Sequence, residues 1–400
     1  MKIIVQKFGG TSVTTNEKRN MAIDKVISAS ERGYSPVVVV SAMGRKGDPY
    51  ATDTLLSLID GSDSNVDKRE IDLLMCCGEI ISAVVMAEAF AKRGYKAKVL
   101  TGGNAGIITD ANFGNAGIIN VEAEKILNVL EQGLIPIVTG FQGITEEGDH
   151  TTLGRGGSDI TGTLLGKALK AECVEIYTDV DGIMTADPNI VPGAKIINEI
   201  SYSEVFQLAD QGAKVVHPRA VEYALAGNIP LIIKNTVSDA PGTIITNSRG
   251  YAYNSVTGIT SMANKTQIII NFPDNCRNMG NDIFELLAKK NINIDLVNIF
   301  PGQEIFTVDS VDASEVESIL KQLCKEYRVI NNCSKVSLIG NALRGMPEVM
   351  SKLLRTLECS NVNILQTSNS HTAIWCLIEE ADNKKALNEL HNAFFCASAS

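Results

Sequence analysis

Four hundred residues, 44% hydrophobic and 20% charged, are enough for two or three packed domains and fit an ordinary soluble chain, not a disordered one. The formal net charge of −10 excludes nucleic acid and anionic membrane as partners, because both demand a basic surface, so any bound anion must be held by local cations. Apolar runs such as Val37-Val38-Val39-Val40 fall far short of a membrane span and the first residues lack a signal-peptide core, so the expected location is cytoplasmic.

The first predicted element is a strand over residues 2–8, which runs into Lys7-Phe8-Gly9-Gly10-Thr11-Ser12-Val13. A fixed cation followed by residues without side chains is a means of holding a polyphosphate. The glycines let main-chain N–H groups come close, Thr11 and Ser12 add hydroxyls, and Lys7 adds a point charge. An ordinary strand-to-helix turn would look the same. An apolar stripe with Ile23, Val26 and Ile27 then stops at Gly33, and Pro36 introduces a strand over 37–41. A helix carrying Ile71, Leu74, Gly78, Ser82 and Val85 ends before Gly94; another with Ile126, Leu127 and Leu130 ends before Gly133 and a strand over 135–139. This alternation, continuing to about residue 240, predicts a parallel or mixed sheet covered by helices, with ligands at the carboxyl ends of strands. Gly9, Ser41, Gly102, Gly140 and Asp179 fall at such ends. Glu79, beside Gly78 on the apolar helix, is either solvent-facing or a ligand for something cationic, because an unpaired charge among apolar neighbours is costly.

Thr151-Thr152-Leu153-Gly154-Arg155-Gly156-Gly157-Ser158-Asp159-Ile160-Thr161 is the next informative segment. Its glycines can turn amides toward an anion, and Ile160, Thr161, Leu164, Leu165 and Ala168 continue as a helix, so the loop ends at a helix amino terminus that attracts negative charge. A dinucleotide fingerprint fails on spacing, since its third glycine would fall on Asp159. The plainer readings are a solvated Arg155 and a helix cap from Ser158 or Asp159. Tyr177-Thr178-Asp179-Val180-Asp181-Gly182 follows another strand; it lacks the remaining ligands of a calcium loop and reads better as a nucleotide-contacting strand end. The nine cysteines contain no Cys-x-x-Cys and read as buried thiols, and His150, His217, His371 and His391 are too scattered for a metal site.

Between residues 239 and 257 the pattern changes, with a turn at Asp239-Ala240-Pro241-Gly242-Thr243 and a linker-like Ser248-Arg249-Gly250. Beyond it lies an internal repeat. A strand over 267–271, a turn ending at Gly280, a helix with Ile283, Phe284 and Leu287, and Asn291-Ile292-Asn293-Ile294 make one unit. A strand over 335–339, a turn through Gly345, a helix with Val349, Leu353 and Leu357, and Asn361-Val362-Asn363-Ile364 make the other. Neither holds a nucleophile beside a base, so binding or regulation is expected there.

The Lys7 turn, the Gly154–Asp159 loop, the Thr178-Asp179 strand end and Gly212-Ala213-Lys214-Val215-Val216-His217-Pro218 together resemble an aspartate kinase of the amino-acid-kinase fold, and the repeat resembles its paired ACT modules. The likeness spans essentially the whole chain. It implies an α/β protein: a three-layer αβα sandwich over 1–248, followed by two ferredoxin-like βαββαβ ACT domains over 249–331 and 332–400, the second completed by a strand from about 255–265. It implies ATP-dependent phosphorylation of the L-aspartate side chain to 4-phospho-L-aspartate, early in lysine, threonine, methionine and diaminopimelate synthesis. ATP with Mg²⁺ would be the cofactor. Lys7, Phe8, Gly9, Gly10, Ser12, Thr178, Asp179, Met184 and Lys214 would hold ATP, and Ser41, Thr52, Glu79, Arg155 and Ser158 would hold aspartate. Lys7 and Asp159 would be catalytic. Asp274, Gly280, Asn293, Ile294, Asn363 and Ile364 would serve an amino-acid effector, in a homodimer or larger homo-oligomer. No side-chain metal ligand is assigned.

The chemistry can be argued apart from the family. An aspartate side chain has a pKa of about 3.9, so at neutral pH it is an ionised nucleophile that needs no base, and Asp159 is better cast as an organiser of Lys7 or of a Mg²⁺-bound water. The chain departs from the family at Asn189, where arginine is common, in the long loop over 42–51, and at Thr367-Ser368-Asn369. The alternatives are a related kinase acting on glutamate, acetylglutamate or a nucleoside monophosphate, and a non-catalytic ACT sensor. The pair Glu79 and Arg155 disfavours the former, and Lys7, Arg155 and Asp159 together disfavour the latter.

Overall fold

A computed structural model of the chain describes residues 1–59, 65–213, 216–247, 256–272, 279–323 and 326–396. It divides into one unit of Met1–Ile183, Ile196–Ala209 and Lys214–Tyr251, and another of Met184–Lys195, Asp210–Ala213 and Ala252–Ser400. The expected linker at 248–250 lies outside the described residues.

The first unit runs β1 (Ile3–Phe8), α1 (Asn16–Glu31), β2 (Ser35–Val40), α2 (Thr52–Leu56), α3 (Lys68–Lys92), β3 (Ala97–Leu100), β4 (Ile107–Thr109), β5 (Ile118–Val121), α4 (Glu124–Glu131) and β6 (Ile135–Thr139). It continues with β7 (Gln142–Ile144), β8 (His150–Thr152), α5 (Gly157–Ala168), β9 (Cys173–Thr178), β10 (Glu199–Ser201), α6 (Tyr202–Asp210), α7 (Pro218–Gly227), β11 (Leu231–Asn235) and β12 (Thr243–Thr246). The main sheet has the order β10-β12-β11-β9-β1-β2-β6-β3 and is parallel except between β11 and β12; β5-β4-β7-β8 form a small second sheet. β1 is buried along its whole length, as a strand covered on both faces must be. On one face Phe8 stacks on Tyr177 with ring centroids 4.7 Å apart, in a core shared with Ile23 and Val26 of α1 and Met86 and Phe90 of α3. The alternation of a strand sends Lys7 to the opposite face, where α5 crosses so closely that a Cβ on Gly162 would lie 3.3 Å from Lys7 Cβ. Helices on both faces make the expected three layers.

The second unit has β13 (Val256–Asn271), α8 (Met279–Lys289), β14 (Ile294–Phe300), β15 (Gln303–Asp309), α9 (Ala313–Leu323), β16 (Tyr327–Gly340), α10 (Pro347–Cys359), β17 (Ile364–Asn369), β18 (Ala373–Glu379) and α11 (Asn383–Phe395). They form one antiparallel six-stranded sheet, β14-β15-β13-β16-β18-β17. The short strands expected at 267–271 and 335–339 are each half of a long one. β13 pairs with β16 from Val256↔Gly340 to Ile270↔Tyr327, with register shifts around Lys265. Asn264 and Asn332 take positive φ of 57° and 54° near those shifts, so a bend inside each strand, not a loop, divides the repeats. Two cores result, one around Ile268, Ile283, Leu287 and Phe306, the other around Leu338, Leu353, Ile374 and Leu390. Ala186 and Val191 belong to the latter core, and buried His391 Nε2 lies 2.9 Å from Thr185 Oγ1, so the segment after Met184 is built into this unit.

Candidate active site

The carboxyl ends of β1, β2, β6 and β9 are tied together by main-chain bonds that outlast the strands. Gly9 N–H donates to Tyr177 O at 3.0 Å, Ser41 N–H to Phe8 O at 3.1 Å and Gly140 N–H to Val40 O at 2.9 Å. The Gly9 amide is therefore engaged; among the described residues those of Gly10 and Thr11 have no protein acceptor and remain to face an anion. Gly10 cannot carry a side chain, since a Cβ would lie 2.5 Å from Ala42 O and 2.8 Å from Gly44 O. Ser12 is buried, and its hydroxyl accepts from Thr236 Oγ1 at 2.6 Å.

Lys7, Gly10, Ser41, Thr52, Glu79, Arg155, Ser158 and Asp159 line one cleft of about 470 Å³. Its floor is an ion pair, Lys7 Nζ to Asp159 Oδ1 at 2.6 Å, with both side chains less than a fifth exposed. Asp159 sits in the first turn of α5, whose cap is Gly156 at φ 69° with no side-chain cap bond, so capping is not what Ser158 and Asp159 do. A Cβ on Gly156 would lie 2.3 Å from His217 Cβ, which is why only glycine fits there. Burial lowers the pKa of His217 more than the nearby Asp159 charge raises it, so the imidazole is neutral at pH 7. Arg155 is exposed at the cleft edge.

Glu79 is 2% exposed, which removes the solvent-facing reading. Its Oε1 accepts from Ala42 N–H at 3.1 Å, while Oε2 is buried and has no partner among the described residues. Burial pushes its pKa up to about 8, against the opposing pull of the Ala42 N–H, its own N–H and the nearby Gln142 side chain. Two helical turns earlier on the same face of α3, Asp72 is also buried, but it is satisfied: it accepts from Gly114 N–H at 2.9 Å and from Thr152 N–H and Oγ1 at 2.8 and 2.9 Å. Asp72 thus pins the strand leading into the glycine loop, whereas Glu79 is left open to the cleft.

Thr178 and Asp179 end β9 one strand away, where Asp179 pairs with Arg45 at 2.5 Å. Phe8 is a core residue, Met184 falls in the second unit, and Lys214 and Asp274 lie outside the described residues. Gly280 is in the first turn of α8. The repeated Asn-x-Asn-Ile proves partly structural: Asn291 and Asn361 end helices at positive φ of 54° and 50°, and Ile292 and Val362 are buried. Asn293 and Asn363 are exposed, and Ile294 and Ile364 open β14 and β17. Arg45, Lys46, Phe141, Asp72 and His217 were not predicted as site residues. Asp72 carried a signal, an acid two turns from Glu79 on an otherwise apolar helix.

The amino acid kinase family profile matches residues 2–235, and an ACT domain profile matches residues 328–392. Aspartokinase 1 of Bacillus subtilis is 43% identical over 400 residues, covering 98% of this chain and 99% of that protein. Among solved structures, E. coli aspartokinase III in complex with aspartate and ADP is 26% identical with a TM-score of 0.78, covering 98% of this chain and 100% of that one. The same enzyme in complex with lysine and aspartate gives a TM-score of 0.77 at 26% identity, with 99% and 100% covered. With a strand-end lysine, a glycine loop opening a helix and paired ACT-type repeats in one chain, and full-length likeness to these enzymes, the chain belongs to the aspartokinases of the amino acid kinase family.

Proposed function

We propose that this cleft transfers the γ-phosphoryl group of ATP to the side-chain carboxylate of L-aspartate, giving 4-phospho-L-aspartate and ADP. The observation that carries the reading is Glu79 Oε2, a buried carboxylate oxygen without a partner on the wall of a cleft shared with Arg155 and Lys7. Such an oxygen asks for a cation and Arg155 for an anion, so a ligand with an ammonium and a carboxylate on one carbon answers both. A second carboxylate, steadied by Ser41 and Thr52, then points toward Lys7 and Ser158. E. coli aspartokinase III, solved with aspartate and ADP, supports this choice of ligands.

The nucleophile is already ionised, so no proton moves. A carboxylate oxygen forms its bond to Pγ as the bond from Pγ to the β–γ bridging oxygen breaks, and ADP leaves with that electron pair. What the protein supplies is positioning and positive potential: Lys7 held in place by Asp159, the Gly10 and Thr11 amides, and the amino terminus of α5. Gly9, Ser12, Thr178, Asp179 and Lys214 are assigned to the nucleotide side, with Phe8 buttressing it from the core. Among the described residues no three acidic, histidine or cysteine side chains converge on a point. Asp159 is the carboxylate in this cleft that would sit beside a Mg²⁺ brought in with the nucleotide, and the ion would neutralise charge on the phosphate oxygens.

The second unit is assigned to feedback by a small amino acid, with Asp274, Gly280, Asn293, Ile294, Asn363 and Ile364 as effector residues, in a cytoplasmic homodimer or larger assembly. The lysine complex of the E. coli enzyme supports that class of effector. A coupled ADP-release assay with aspartate, glutamate and N-acetylglutamate tests the reaction: turnover on aspartate is expected, and turnover on glutamate alone overturns it. Thermal-shift screening with lysine, threonine, methionine and diaminopimelate tests regulation, since a ligand of the native state raises the midpoint.

A further inference from the structure

The cations lining the described cleft are Lys7, Arg45, Lys46 and Arg155. On the reading above Lys7 is shared with Asp159 at 2.6 Å, which offsets part of its charge, and Arg155 is committed to the α-carboxylate of aspartate. A triphosphate meeting a carboxylate needs more charge compensation than Lys7 gives, and within this set Arg45 and Lys46 are the cations not yet assigned to a ligand.

The loop carrying them is fastened to both halves of the site. Gly44 N–H donates to Gly10 O at 3.1 Å, at the phosphate turn, and Gly47 N–H donates to Thr54 Oγ1 at 3.0 Å, on α2 next to Thr52. Asp48 Oδ2 accepts from Arg45 N–H at 2.8 Å, and Asp48 N–H donates to Arg45 O at 2.8 Å, which closes the loop on itself. From this base the Arg45 guanidinium spans to Asp179 at the end of β9, the strand next to β1. Arg45 and Asp179 are 72% and 48% exposed, and exposed ion pairs contribute little, so the pair opens readily for a stronger acceptor. A phosphate offers a guanidinium two parallel hydrogen bonds with more charge than a carboxylate.

We propose that Arg45 is a phosphate-binding residue of this kinase, exchanging Asp179 for the terminal phosphate of ATP when the nucleotide enters. The inference rests on the assignment of the cleft to phosphoryl transfer and adds a residue to it. Arg45 acts on the terminal group, so its loss discriminates triphosphate from diphosphate.

The test is nucleotide binding by calorimetry, with Mg²⁺, for the full-length wild type, Arg45→Ala and Arg45→Lys, comparing ADP with a non-hydrolysable ATP analogue. Circular dichroism and thermal midpoints establish that each variant is folded. Arg45→Ala should weaken the triphosphate analogue by roughly 10- to 100-fold and ADP by less than about 3-fold, with Arg45→Lys restoring part of the difference. kcat should fall by on the order of 10²-fold or more. Equal weakening of both nucleotides, or no weakening of either, overturns the proposal. Because the binding ratio is read without aspartate, a wild type that binds nucleotide but does not phosphorylate aspartate sinks the functional reading while leaving the Arg45 ratio to be judged by itself.

Discussion

Replacing Glu79 by glutamine should make the ligand-free protein more stable at neutral pH and nearly abolish aspartate binding. The carboxyl group has its pKa raised from 4.5 to about 8 by burial. A raised carboxyl pKa means the unfolded chain ionises first, so folding is unpenalised below about pH 4.5 and carries a growing cost as pH rises, complete above about pH 8. At pH 7, some two and a half units above the ordinary pKa and still below the raised one, the cost is about 3 kcal/mol, and at pH 5 it is less than about 1 kcal/mol. Glutamine keeps the shape and removes the ionisation, so Glu79→Gln should raise the midpoint by on the order of 5–10 °C at pH 7 and much less at pH 5. Aspartate affinity should fall by on the order of 10²-fold or more, because the ammonium loses its buried counter-charge. Thermal melts at both pH values and aspartate calorimetry measure the two effects. A variant with the same pH-dependent stability as the wild type, or one that keeps its aspartate affinity, refutes the reasoning about Glu79.

Three further outcomes follow from the same geometry. Aspartate binding at pH 7 should release about one proton, since Glu79 must ionise to meet the ammonium; calorimetry in buffers of different ionisation enthalpy reads it, and buffer-independent heats contradict it. Lys7→Ala should lose turnover by on the order of 10²- to 10³-fold with far-UV circular dichroism unchanged, and a wild-type rate removes Lys7 from the site. Gly10→Ala forces a Cβ against the carbonyls of Ala42 and Gly44, which cannot yield cheaply. It should cost about 1–3 kcal/mol and raise KM for ATP and aspartate together, because that loop also brings Ala42 N–H to Glu79; an effect on ATP alone contradicts this.

The strand-turn-helix logic of the first half was legible because each step is local. Two glycines after a buried strand, and three within four residues at the entry to α5, announce turns at strand and helix ends whatever the rest of the chain does. Glu79 was not legible in the same way. α3 is apolar nearly all round, with Leu73 and Val84 exposed at 45% and 55%, so no stripe marks which face is buried. The Arg45–Asp179 pair joins residues 134 apart, and the assignment of 184–195 to the second unit depends on contacts such as Thr185 with His391, 206 residues away. Nothing periodic encodes such meetings. β13 and β16 were underestimated because a bend at one asparagine in each looks like a strand end in sequence, while the ladder resumes beyond it.

The central claim is that the phosphoryl group goes to the side-chain carboxylate of aspartate. Acyl phosphates react with hydroxylamine, so turnover in the presence of ATP, Mg²⁺, aspartate and hydroxylamine should yield the side-chain hydroxamate of aspartate, identified by mass spectrometry and absent when Lys7→Ala replaces the wild type. Hydroxamate on the α-carboxylate, or formed from glutamate and not from aspartate, would contradict the account.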